Sequence, residues 1–381
     1  MKNIPYGKQS IDSHDVKSVS KAMKQDLITT GNHVKKLEDE IVKLLKVKFS
    51  VSCNSGTSAI HLAFLSINLT KNDIILMPAV NFIASYNLAK IMGAKVFLVD
   101  VDPCTGQITP KSLLECIKKN KIKKIKVIIT MYLGGYPENV IEFYKIKKKL
   151  NCFLIEDACH ALGAEYYFKN KYIFIGSCRH ADISTFSLHP VKTITSGEGG
   201  VMTTNNKIFF NRAKLFRSHG IKKSSFHWEY DVLIHGFNYR LSDINCALAI
   251  SQIKKIKRFI SLRRKIYFYY LKELASMYKF LSFPKYSNKN KSSCHLFLIN
   301  FKNVIYNKNM FLKKMLNNNI ICQFHYKPIF LFKNIFNQKL IKKDFEGSIN
   351  YYKKTVSLPI FPTLSHKNQK FIVKTIKTLL K

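Results

Sequence analysis

Between Phe49 and Ile155, short runs of β-branched and aromatic residues alternate with longer amphipathic stretches, and this alternation restricts the chain more than any other feature. Phe49–Cys53, Ile74–Leu76, Lys95–Val99, Val127–Thr130 and Cys152–Ile155 read as strands; segments near 56–66, 82–92, 110–119 and 137–149 read as helices. Parallel neighbours need a long crossover, and a helix between successive strands supplies it, so the pattern predicts an α/β layer around a mostly parallel sheet. After Arg240 the rhythm changes to helices across 242–277, a strand-like His295–Asn300, another helix and a strand-like Ile320–Gln323. The 381 residues exceed the roughly 100–200 of one domain. We therefore expect a large domain over 1–250 and a smaller α+β domain over 251–381.

Composition removes several classes of function. No window approaches the ~18 unbroken apolar residues of a membrane span, and Met1 to Gln9 lacks the ~7–15-residue apolar core of a secretory signal, so a cytoplasmic protein is expected. The formal charge of +40 invites a nucleic-acid partner. Its distribution argues otherwise, because stretches such as Lys121–Lys126, Lys147–Lys149 and Lys254–Lys257 sit between apolar positions rather than in one tail or recognition helix. Nine scattered cysteines, with no C-x-x-C pair and an odd total, predict reduced thiols and no structural metal.

Three short segments carry chemistry. Ser187-Leu188-His189-Pro190-Val191-Lys192, followed by Ser196-Gly197-Glu198-Gly199-Gly200, sets a lysine between a proline that fixes the backbone and glycines that let a loop pack closely. Confinement lowers a lysine pKa, and the neutral amine is the form that Schiff-base chemistry needs. Phe153-Leu154-Ile155-Glu156-Asp157 ends an apolar strand in two acids, with His160 three residues beyond, and strand ends of open α/β sheets are where ligands bind. Asn54-Ser55-Gly56-Thr57-Ser58-Ala59 joins a strand to a helix with the small and hydroxyl residues of an anion site. It has neither the Gly-Lys-Ser/Thr of a Walker loop nor the dinucleotide fingerprint.

In this order, the three segments resemble the DegT/DnrJ/EryC/StrS sugar aminotransferases, a branch of the fold type I, aspartate aminotransferase-like enzymes that depend on pyridoxal 5'-phosphate. The resemblance extends from Ile4-Pro5-Tyr6-Gly7 and Thr29-Thr30-Gly31, through Arg217-Ser218-His219-Gly220 and Asn238-Tyr239-Arg240, to His325-Tyr326-Lys327-Pro328 and Ser357-Leu358-Pro359-Ile360-Phe361-Pro362. It implies that Lys192 carries the cofactor, Asp157 holds its ring nitrogen, His160 lies near the ring and Phe82 stacks on it. Gly56, Thr57 and Ser187 would hold the phosphate, with Asn238 reaching across from a second subunit of a homodimer. Tyr6, Asp26, Leu27, Ile28, Thr29, His325, Tyr326 and Lys327 would line the sugar-nucleotide site. Within the family the nearer likeness is to the pseudaminic acid branch, which implies a UDP-linked 4-keto-6-deoxy N-acetyl hexosamine as substrate and glutamate as amino donor. A dTDP-linked or 3-keto sugar is the alternative. A dehydratase is disfavoured because such relatives carry histidine where Lys192 stands, and intact Lys192, Asp157 and Ser187 disfavour a non-catalytic regulator. Two positions depart from the pattern: Met131-Tyr132-Leu133-Gly134-Gly135 lacks a histidine, and Phe330 replaces a polar ring.

Overall fold

The computed structural model describes residues 3–226, 228–302, 308–333, 335 and 344–380. Two amphipathic helices, α1 (Ser13–Met23) and α2 (Asn32–Leu45), precede β1 (Phe49–Cys53), α3 (Gly56–Ser66), β2 (Ile74–Pro78), α4 (Ala84–Ile91), β3 (Lys95–Val99), α5 (Pro110–Lys119), β4 (Val127–Met131), α6 (Val140–Leu150) and β5 (Phe153–Asp157). A hairpin of β6 (Glu165–Phe168) and β7 (Lys171–Phe174) follows, then β8 (Ile183–Ser187), β9 (Gly200–Thr204), α7 (Lys207–Arg217) and a second hairpin of β10 (Ile221–Lys223) and β11 (Tyr230–Val232). The remainder comprises α8 (Asp243–Ile253), α9 (Ile256–Glu273), β12 (Leu281–Ser282), β13 (Phe297–Phe301), α10 (Lys308–Asn317), α11 (Glu346–Lys354), β14 (Thr355–Leu358) and α12 (His366–Leu379).

Seven strands form one sheet in the order β1-β9-β8-β5-β4-β2-β3. Only β9 runs against its neighbours, so β1, β8, β5, β4, β2 and β3 all point the same way. Side chains on a strand alternate between faces, and these strands, covered on both sides, are buried at most positions: β2 and β4 are almost wholly apolar, whereas β1, β8 and β9 also bury Ser and Thr hydroxyls and β5 ends in two acids. Ile75, Met77, Val127 and Ile129 pack with α3 and α7, whereas Leu76, Ile128 and Leu154 pack with Leu113 of α5 and Phe143 of α6. Near β8 and β9 that second face is covered instead by Leu37, Ile41 and Leu45 of α2 and by Ala249 and Ile253 of α8. The smaller sheet, β12-β13-β14, has its own core with Ile266, Tyr270, Ile372 and Ile376, and Ile4 from the chain start packs into it.

The α/β reading and its mostly parallel sheet hold, and the helix expected at 56–66 coincides with α3. Several boundaries move for local reasons. Strand β5 continues through Glu156 and Asp157, and α6 begins only at Val140, after Asn139 turns left-handed at φ 56°. The helical stretch across 242–277 breaks between Ile253 and Ile256. The strand expected at Ile320–Gln323 does not form: its two ends make isolated bridges to different partners, Ile4 and Ser357, so no ladder can propagate. Among the described residues no helix is long and apolar enough to cross a membrane.

Candidate active site

Because six strands are parallel, the segments that leave their carboxyl ends meet along one edge of the sheet. That edge receives Asn54–Thr57 after β1, Asn81–Phe82 after β2, Gly134 after β4, Asp157–His160 at β5 and Ser187–Lys192 after β8. The two acids ending β5 separate by the strand's own alternation. Glu156 turns into the interior, where its carboxylate accepts from the Tyr132 hydroxyl at 2.9 Å, from the Ser184 hydroxyl and from the Gly176 N–H. Asp157 faces the other way, accepting from Asn81 Nδ2 at 3.3 Å and from the Cys159 N–H at 3.3 Å. No sequence motif points to Asn81; its one signal is that it directly precedes Phe82, and its side chain reaches Asp157.

Lys192 is partly buried on a loop tied down at both ends: Leu188 N–H donates to Gly199, Ser196 N–H to Leu188, and Asn245 Nδ2 to the Ser196 carbonyl at 2.6 Å. Burial pushes the Lys192 amine below the ordinary lysine range, with Cys159 and Asp157 opposing the shift. His160 is buried; its Nδ1 accepts from the Gly134 N–H at 3.3 Å and its Nε2 lies 2.9 Å from the Tyr326 hydroxyl. The ring of His295 sits 4.2 Å from that of His160, and His325 lies 6.1 Å away. Burial, with the Lys192 charge next, drives His160 and His295 well below the usual histidine range and His325 down to about 3. Tyr6, from the chain start, brings its ring 5.5 Å from His325, whose Nδ1 pairs with the Ser357 hydroxyl. Lys327 lies over the Phe332 ring at 4.9 Å.

At the amino end of α3 nine of the 11 helix residues are buried, as expected of a helix apolar all round, but Thr57 is exposed. Ser55 caps this end through the Ser58 N–H, and Gly56 leans so close to Ser187 that a Cβ there would stand 2.8 Å from the serine Cβ. A helix N-terminus, an exposed threonine and a strand-end serine thus converge on one spot suited to a phosphate. Phe82 is 54% exposed beside the Tyr326 ring at 5.8 Å, which excludes a plain core role. Phe330 does not line this edge; it is buried in the sheet core, stacked on Phe345.

Two predicted pieces lie off the Lys192–Asp157 cluster. Asp26, Leu27, Ile28 and Thr29 are exposed and attach to α8, with the Ile28 carbonyl accepting from Asp243 N–H at 2.9 Å and Thr29 bridging Ser242. Asn238 is exposed as well; its carbonyl accepts from Asn54 Nδ2 at 3.4 Å, which sets its backbone beside the turn that leads to Gly56.

A confined amine, a buried strand-end acid, an exposed aromatic face and an anion cradle on one sheet edge are the donor set that pyridoxal phosphate requires, and the fold and site define a pyridoxal-phosphate-dependent aminotransferase. Residues 9–377 match the DegT/DnrJ/EryC1/StrS aminotransferase family, and the chain belongs to it. It is 37% identical, over 99% of its length and 97% of the relative's, to a UDP-4-amino-4,6-dideoxy-N-acetyl-beta-L-altrosamine transaminase of Campylobacter jejuni. Its structure is similar to that of Helicobacter pylori PseC, an aminotransferase involved in the biosynthesis of pseudoaminic acid, at a TM-score of 0.88, 26% identity and coverage of 100% and 99% of the two chains. The PLP form of a sugar aminotransferase from Streptococcus pneumoniae shares the fold at a TM-score of 0.90 and 24% identity, covering 99% and 98%.

Proposed function

We propose that this aminotransferase moves the amino group of glutamate to C4 of a UDP-linked 4-keto-6-deoxy N-acetylhexosamine, releasing the amino sugar and 2-oxoglutarate. One observation carries the chemistry: Lys192, its amine depressed by burial, shares the carboxyl edge of the sheet with Asp157 and the Gly56–Ser187 cradle. The substrate is supported by the full-length likeness to the Campylobacter UDP-sugar transaminase. It is also supported by the rings of Tyr6 and His325, far apart in sequence, which lie 5.5 Å from each other, with His325 6.1 Å from His160.

Bound pyridoxal phosphate supplies an aldehyde that takes up amino groups and a ring that withdraws electrons from the carbon losing its proton. Lys192 would hold the cofactor through its amine and, once the donor's amino group has displaced that amine, would in its neutral form take a proton from the donor α-carbon and return one at sugar C4. Asp157 offers a carboxylate oxygen to the ring N–H, with Asn81 holding the other side of that carboxylate. The α3 N–H groups, Thr57 and Ser187 would bind the phosphate and Phe82 would cover the ring, with neutral His160 held close by through Tyr326. Tyr6, His325, Tyr326 and Lys327 take the sugar. Asn238 and Asp26 to Thr29, which lie apart from the Lys192–Asp157 cluster, serve the site across the contact of a homodimer.

The test is to supply protein, cofactor, glutamate and the UDP-4-keto sugar and to follow the amino sugar and 2-oxoglutarate by mass, with borohydride labelling and peptide mapping in parallel. Label on Lys192 is expected, and label on another lysine removes it from its role. Turnover of a dTDP-linked or 3-keto sugar in place of the UDP substrate overturns the substrate and leaves the aminotransferase intact.

A further inference from the structure

Arg263 is 1% exposed in the middle of α9, and among the described residues no acidic side chain pairs with it. Burying a cation without a counter-ion is costly unless its donors are well occupied. Here Nη1 donates to the carbonyls of Ile360 at 2.8 Å and His295 at 3.2 Å, and Nη2 reaches those of Val191 and Lys192 at 3.4 and 3.5 Å; the buried Nε has no partner among the described residues, so these four carbonyls carry the whole compensation. The four acceptors come from three separate segments: the Lys192 loop, the approach to β13 and the exit from β14. The same segments hold the wall of the site. Gly7, next to Tyr6, abuts Val191, and the Ile360 N–H donates to the Tyr6 carbonyl. A guanidinium is the one side chain whose planar fork spans such spread acceptors, which a lysine ammonium cannot do.

We propose that Arg263 is the positioning residue for Lys192, a buried clamp that fixes the Val191–Lys192 backbone against the His295 and Ile360 segments and so keeps the amine turned to the reacting atoms. The inference rests on the assignment of Lys192 as the cofactor-bearing lysine. Arg263 also stays cationic, since burial lowers it only to about 10, and its charge adds to the burial that keeps His160 and His295 neutral.

The experiment compares the wild-type holoenzyme with Arg263→Lys, Arg263→Met and, as a control on the exposed side of α9, Arg258→Met. Hydrogen exchange of the peptide spanning 188–196 is measured beside kcat and KM, and borohydride labelling of the wild type verifies Lys192 independently. If Arg263 is the clamp, Arg263→Met opens the 188–196 peptide to exchange and lowers kcat by about 10²-fold, the size of loss that a displacement of about 1 Å at a catalytic group brings, while KM for the sugar changes little. Arg263→Lys keeps the charge but cannot span the four carbonyls, so it loses roughly tenfold in kcat with the same local rise in exchange. Should Arg263→Met fail to fold, the lysine variant decides. Wild-type protection at 188–196 in a folded Arg263 variant with turnover like that of Arg258→Met overturns the inference, whereas labelling of a lysine other than Lys192 in the wild type overturns the site itself.

Discussion

The Nε2 of His160 stands 2.9 Å from the hydroxyl oxygen of Tyr326, and the proton on that contact belongs to the histidine. Gly134 donates its N–H to Nδ1, so the neutral ring must carry its hydrogen on Nε2 and donate to the phenol oxygen. Tyr326 keeps its own hydrogen for another partner. Its phenol is held far from ionisation, chiefly by burial and then by Asp157, so it acts as a donor at neutral pH. Replacing Tyr326 with Phe should leave the His160 N–H unsatisfied, costing about 1–3 kcal/mol of stability in urea together with a fall in kcat. A Tyr326→Phe protein as stable and active as wild type would break this chain of donors.

Three neutral histidines around one lysine also predict a pH dependence of stability. In the unfolded chain they titrate near 6.5, whereas in the folded protein His325 is pushed down to about 3 and His160 and His295 well below the usual range. Between those values the unfolded state binds more protons, so stability is present above about pH 6.5 and is lost as the pH falls. From pH 7 to 5 each such histidine contributes a loss of up to about 2 kcal/mol. Urea unfolding at the two pH values measures the total, and His325→Gln should make the decline shallower by one histidine's share. An unchanged slope in that variant would show His325 to be accessible to protons in the folded state.

Where periodicity and burial agree, the sequence carries the fold. Helix α3 is apolar on every side and follows a strand, so its place between β1 and β2 is visible before any contact is known. Ile320–Gln323 has the residues of a strand but lacks a partner to run beside, and pairing is not written in a single segment. Lys192 is one lysine among many, and what sets it apart is the loop around it and the acid of β5 on the same sheet edge. Glu156 and Asp157 look alike in sequence, and only strand alternation decides which faces the site. Arg263 does carry a signal in the sequence: with Phe259, Ile266 and Tyr270 it falls on the buried stripe of α9, a place where an arginine calls for an explanation.

The cradle at α3 can be tested through its closest approach. An alanine at 56 would press its Cβ to 2.8 Å from that of Ser187 and 3.2 Å from its Oγ, so the helix start or the strand end must shift. Such crowding costs about 1–3 kcal/mol, and here it falls on the turn proposed to hold the phosphate. Gly56→Ala should raise the Kd for pyridoxal phosphate about tenfold or more, read by spectroscopic titration of dialysed protein. An unaltered Kd would move the phosphate away from this turn.

The last prediction concerns Asn238, whose backbone lies beside its own chain's Asn54 while its side chain is exposed. The neighbouring rings of Phe237 and Tyr239 stack at 4.9 Å, and the Tyr239 hydroxyl is held 2.9 Å from His61 Nδ1 on α3. Residue 238 bridges Ser218, and side chains alternate along such a pairing, so Phe237 and Tyr239, which both meet His61, share one side and Asn238 takes the other. A two-fold contact would present that outward side chain to a second copy, and by symmetry would do so twice. Lys192→Ala and Asn238→Ala parents, each impaired alone, should then regain one competent site per heterodimer when co-expressed with separable tags, giving roughly half the wild-type kcat per dimer. If Asn238 instead completes the phosphate turn of its own chain, the heterodimer still contains one chain with both residues intact only when both defects fall on the same parent, so purified Lys192→Ala/Asn238→Ala double-mutant chains paired with wild type supply the contrast. In the cross-subunit arrangement that second heterodimer has a defect in each site and stays impaired; in the same-chain arrangement it keeps one full site and the first pairing keeps none. Activity in the second pairing but not the first would place Asn238 in its own chain's site.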